Sequence, residues 1–226
     1  MRNSKCFANI NKQEINSVYK YNNIVLLTIN IKYPIISTFP NSKAGERINS
    51  QIKMQVNEYL KYSLNTLYKQ AMDTYKNSLK NDFPFHSFEA YMEYVITYNA
   101  NGFLSLYVDK YEFTGGAHGS TIRSSNTWNL CTGENIYLSY FFNPYTDYTK
   151  FVKDKILTLA SEIAKGNPLI YFENYKYLIV KNFNPQSFYL TPEGITIYYQ
   201  QYEIAPYSTG IVEFTIPYIK SSTLQF

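Results

Sequence analysis

SFYLTPEGITIYYQQYEIAPYSTGIVEFTIPY, residues 187–218, reads as a β-hairpin, a loop and one further strand. Residues 188–190 are a short apolar run; Ile195, Thr196, Ile197, Tyr198 and Tyr199 are a second, rich in β-branched and aromatic side chains. Between them, Thr191-Pro192-Glu193-Gly194 supplies a proline with a fixed φ and a glycine free to close a hairpin in the left-handed region. Alternation sends Ile195, Ile197 and Tyr199 to one face and Thr196, Tyr198 and Gln200 to the other. Ala205-Pro206 breaks the pattern, because proline has no N–H to give a ladder. After Gly210 it resumes, with Val212, Phe214 and Ile216 facing one way until Pro217.

Upstream, residues 24–33 (IVLLTINIKY) read as a buried strand that stops at Pro34. Residues 39–42 form a turn and a cap, and the period then turns helical over 43–79. Ile48, Ile52, Val56, Tyr59, Ser63, Leu67, Ala71, Met72, Tyr75 and Leu79 mark its apolar stripe. Residues 91–98 and 103–113 flank Asn101-Gly102, the dipeptide of a type I′ hairpin. A strand over 121–130 turns at Thr132-Gly133-Glu134 into 136–138, a further hairpin, and a second helix spans 147–165 with Gly166 as its stop. A less regular helical segment at 171–181 leads back to the opening hairpin. This order predicts an α+β fold: an antiparallel or mixed sheet with one long N-terminal helix and a second C-terminal helix packed on it. The expected organisation is a flexible segment over 1–21, an α+β half over 22–114, and another over 115–226 packed with it as one compact unit.

Composition narrows the function. With 226 residues the chain can bury roughly 70% of the surface exposed when unfolded, enough for a real core. The net charge of +4 is spread without a run of five or six like charges, so no nucleic-acid partner is indicated. No apolar run approaches the ~18 residues of a membrane span, and the N-terminus lacks the apolar core of a signal peptide. The chain is expected to be either cytoplasmic or exported by a signal since trimmed. Cys6 and Cys131 share no motif; a single disulfide between them is open, but Cys6 lies in the segment read as frayed. Two histidines and scattered acids make no metal set, so neither metal nor cofactor is expected. Nothing in the pattern sets an oligomeric state.

The stretch with most chemistry is Thr114-Gly115-Gly116-Ala117-His118-Gly119-Ser120. Three glycines in five residues between strands mean unusual backbone angles or a close approach to the backbone. His118 is either a binding-loop donor, acceptor or proton carrier, or a brace that holds the turn. Tyr202, Glu203 and Tyr207, with the bulky pair Tyr198 and Tyr199, lie on or before a loop stiffened by Pro206. Such tyrosines suit stacking on a sugar or anchoring a protein; alternatively, Tyr202 and Glu203 close the sheet edge. The candidate ligand-binding set is Gly115, Gly116, His118, Gly119, Tyr202, Glu203 and Tyr207, with no catalytic residue assigned. A hydrolase would use His118 as base with Glu203, or Glu112 with Glu203.

GGAHG, LCTGENIYL at 130–138, the quoted ending, Tyr33-Pro34 and Ile48-Asn49 together resemble a pair of bacterial domains of unknown function. That pair forms the extracytoplasmic part of the lysozyme-sensing anti-sigma-V factor. It also precedes the catalytic domain of a peptidoglycan deacetylase and occurs in many small proteins of Gram-positive bacteria. The resemblance covers roughly residues 22–218. It implies an α+β domain of the cell envelope and, as partner, a lysozyme-like protein or a peptidoglycan fragment. Departures temper it: Ser139-Tyr140-Phe141 stands where the family has Asp-Leu-Phe. The chain also lacks a sigma-binding segment, a membrane helix and the deacetylase's metal-binding histidines. The leading expectation is a non-catalytic binding or sensor-type domain; the alternatives are the hydrolase above and a cytoplasmic domain of structural role.

Overall fold

The computed structural model describes residues 6–218. Strands β1 (Phe7–Tyr21), β2 (Ile24–Phe39), β3 (Phe88–Ala100), β4 (Phe103–Phe113) and β5 (Ser120–Asn129) form one mixed sheet in that order. β2 and β3 run parallel over Leu27–Ile31 and Phe88–Met92, and the other pairs are antiparallel. A parallel pair needs a crossover. It is supplied by the helical run α1 (Ser42–Tyr62), a π turn (Ser63–Leu67) and α2 (Tyr68–Asn81). Asn41 caps its start, accepting from the Lys43 N–H at 3.1 Å.

The expected single helix is thus one continuous run with a π turn inside it. Its buried positions, Ile48, Ile52, Val56, Tyr59, Ser63, Leu67 and Ala71, step mostly by four. A regular helix turns in 3.6 residues and would drift off that stripe, and the wider π turn restores the phase. The reset moves the end of the stripe, so Ser78 is buried whereas Leu79 is 67% exposed. Asn101 (φ 53°) and Gly102 (φ 80°) close the β3–β4 hairpin in the left-handed region.

The second half holds α3 (Tyr148–Gly166), the short α4 (Tyr175–Lys181) and a separate antiparallel sheet of β6 (Phe188–Leu190), β7 (Gly194–Tyr199) and β8 (Val212–Pro217). Ile195, Ile197 and Tyr199 join Phe214 and Ile216 in a core with Val152, Ile156 and Ala160 of α3. Thr196 and Tyr198 are buried as well, because the other face of β7 lies toward the first sheet.

Several expectations are corrected. The two sets of strands form two sheets, not one. Residues 7–21, read as flexible, are strand β1, while residues 1–5 lie outside the described residues. β2 continues through Pro34, where β3 no longer pairs with it and a missing N–H is tolerated. The turn at Gly133 leads to a single bridge, Trp128 to Asn135, and not to a hairpin. The boundary placed at 114/115 falls inside the first sheet. One core runs from Ala8 to Leu130 and the next from Leu138 to Ile216.

Candidate functional site

The Gly115–Gly119 loop joins β4 to β5, and the loop after β7 lies against it. Gln200 fastens the two: its Oε1 accepts from the Arg123 N–H at 2.9 Å and its Nε2 donates to the Arg123 carbonyl at 2.7 Å. Gln201 Oε1 accepts from the Thr121 N–H at 2.9 Å. These two side chains close the free edge of β5 much as another strand would.

Within this frame, His118 lies over Tyr207, with ring centroids 3.9 Å apart and planes 20° from parallel. The Tyr207 hydroxyl donates to the Gly119 carbonyl at 2.9 Å, and His118 Nδ1 bonds the same oxygen at 3.0 Å. A carbonyl oxygen only accepts, so Nδ1 is the donor in that bond. Tyr202 lies 5.8 Å from Tyr207 and is 56% exposed. Its φ of 66° is costly for a bulky residue. His118 and Tyr202 are thus exposed rings, and Tyr207 is the half-buried strut between them.

The remaining predicted residues sort by role. Gly115 has φ 87°, Gly116 is open, and Gly119 is buried where a Cβ would meet the Tyr111 ring at 2.4 Å. Glu203 Oε2 accepts from the Gln200 N–H at 2.7 Å, and its carbonyl accepts from Asn182 Nδ2 at 2.8 Å. It holds the turn that carries Tyr202, and no hydrogen bond or ion pair links it to His118 among the described residues. Tyr198 and Tyr199, grouped with the loop tyrosines from sequence, are 3% and 1% exposed and belong to the interior. Burial raises the pKa of the Glu112 carboxyl, opposed by a hydrogen bond from the Tyr62 hydroxyl of α1 at 3.3 Å.

Sequence reasoning missed Arg123. Its side chain forks onto Asp109, directly opposite on β4, at 2.6 and 2.7 Å, and pairs with Glu213 of β8. Its guanidinium carbon lies 3.6 Å from the Tyr107 ring centroid. Burial opposes the charge on Arg123, but the Asp109 hydrogen bonds and the two carboxylates outweigh it and raise the pKa. The one local signal was an arginine and an aspartate on adjoining strands, which acquires meaning only once the register is known.

Residues 8–121 match the family model described as Deacetylase PdaC. The chain belongs to that family. Residues 139–219 of this PdaC-family chain match a second model, a protein of unknown function, DUF3298. A member of the DUF3298 family (BF2082) from Bacteroides fragilis NCTC 9343 is similar in structure at TM-score 0.69 and 22% identity, over 93% of this chain and 90% of that one. A DUF3298 family protein (PA4972) from Pseudomonas aeruginosa PAO1 is similar at 0.64 and 17%, over 96% and 95%. Identities this low speak to the fold alone. No curated protein matches the chain.

Proposed function

We propose that this PdaC-family chain is a non-catalytic recognition module of the bacterial cell envelope. It holds a lysozyme-like protein, or a cell-wall glycan, against the exposed rings of His118 and Tyr202. The observation that carries this reading is the joining of two loops, one from each half, by the Tyr207 hydroxyl on the Gly119 carbonyl. Rings fixed before binding lose little entropy on contact, which suits anchors of an interface. A left-handed Tyr202 is local strain of the kind retained at recognition loops. The Cys6–Cys131 disulfide fits an oxidising compartment outside the cytoplasm. Sensing of the anti-sigma-V kind, suggested by the sequence resemblance, would be one use of such a module.

Hydrolysis by His118 and Glu203 has weaker support, since the Glu203 carboxylate is occupied by its own turn and a base must reach its proton directly or through one water. Metal-dependent deacetylation needs converging ligands, and no group of three or more His, Cys, Asp or Glu converges among the described residues. The test is calorimetric titration with lysozyme and with muropeptides. Binding of at least one that weakens about tenfold in Tyr202→Ala and His118→Ala is expected. Binding of neither, or binding indifferent to both substitutions, contradicts the proposal.

A further inference from the structure

At the other end of β5, roughly 30 Å from His118 along a ten-residue strand, lies a trough of about 600 Å³ between α1 and the loop that follows β5. It is within the size range of small-ligand sites. Arg47, Ser50, Gln51, Glu134, Asn135 and Tyr137 line it. The loop is held firmly. Cys131 is disulfide-bonded to Cys6, and its carbonyl accepts from Asn41 Nδ2 at 2.9 Å. The Thr132 carbonyl accepts from Arg47 Nη1 at 3.0 Å, and a Cβ on Gly133 would lie 2.6 Å from the Ala44 carbonyl oxygen.

Arg47, Gln51 and Asn135 each have one end of the side chain tied. Gln51 Oε1 accepts from the buried Trp128 Nε1 at 2.7 Å; an indole only donates, so the Gln51 NH2 is left for a ligand. Asn135 Oδ1 accepts from Asn126 Nδ2 at 3.4 Å, and Asn126 Oδ1 accepts from Gln55 Nε2 at 3.0 Å, which leaves the Asn135 NH2 open at the end of an amide chain. Arg47 and Glu134 line the same trough, yet no ion pair joins them among the described residues. Tyr137, 65% exposed, adds an aromatic ring.

We propose that this trough is a second binding site, and that it takes an uncharged oligosaccharide. Each sugar hydroxyl both donates and accepts, so a neighbouring pair is matched by planar amides and a guanidinium whose orientations are already set, beside the exposed Glu134 carboxylate. A tyrosine ring packs on the apolar face of a pyranose. Opposite charges on Arg47 and Glu134 favour a neutral ligand, and the single aliphatic lining residue, Ile136, leaves no slot for a peptide side chain. The site is independent of the ring surface at His118.

Amide chemical-shift mapping of the full chain with chitotetraose, cellotetraose and maltotetraose in parallel tests it. Shifts confined to residues 47–51 and 133–137 with at least one sugar are expected, at millimolar affinity or better. Gln51→Glu keeps the acceptor for Trp128 but removes the donor, and Tyr137→Ala removes a surface ring; each should weaken binding at least about tenfold while the melting temperature holds. No shifts with any of the three, or shifts only at 115–119 and 202–207, overturn it. The first leaves a lysozyme interaction at His118 untouched, so the two proposals fail separately.

Discussion

Gly119 has no room for a side chain: an added Cβ would stand 2.6 Å from the Glu112 carbonyl as well as against the Tyr111 ring. Gly119→Ala is expected to cost about 1–3 kcal/mol in denaturant unfolding, and Gly116→Ala, with its nearest neighbour at 3.8 Å, close to nothing. Tyr202→Gly should do the opposite of an ordinary truncation. It relieves the left-handed strain, raising stability by about 1 kcal/mol while weakening ligand binding. Glu112 gives a pH signature. Its folded pKa is raised by burial, so the folded state binds the proton more tightly than the unfolded chain. Its contribution is full below the ordinary carboxylate pKa and is lost as pH rises through the folded value. Glu112→Gln should therefore be more stable than the wild type at neutral pH, with the difference vanishing in acid. The glycine-rich loop was legible because three glycines in five residues are rare between strands. What Gly119 must avoid was not, since Tyr111 and Glu112 reach it only through the β4–β5 register.

At the scale of elements, strong periodicity was legible and weak periodicity was not. The stripe from Ile48 to Ala71 announced a helix, and the quoted ending announced β6, β7 and β8. β1 was missed because it is an edge strand exposed along most of its length, so its alternation is blurred. The disulfide that anchors it joins residues 125 apart, beyond any local pattern. Its removal in a Cys6→Ser, Cys131→Ser double variant is expected to lower stability by about 2–4 kcal/mol, measured against the wild type with and without reductant. If reductant leaves the wild-type unfolding midpoint unchanged, the staple contributes nothing.

For the whole molecule, side chains bridge the two cores. Arg123 is 9% exposed and joins β4, β5 and β8 through Asp109, Glu213 and Tyr107. Removing one partner of a buried pair leaves uncompensated charge, so Arg123→Ala should cost about 3 kcal/mol, with the 40% exposure of Glu213 keeping the loss at the low end. The unfolding transition should also broaden or split as the halves lose their clamp. The border placed at 114/115 from the sequence pattern cuts the first sheet, because β5 follows the glycine loop yet completes that sheet. That placement is what brings His118 of one half to Tyr207 of the other.

The proposed place of recognition is the surface where those loops meet. The most direct measurement is backbone amide mapping of the chain during titration with lysozyme and with muropeptides. Saturable shifts at Gly115–Gly119 and Tyr202–Tyr207 with either ligand, abolished in Tyr202→Ala, are the predicted result; silence of both loops while either ligand binds, or no binding by either, contradicts the account.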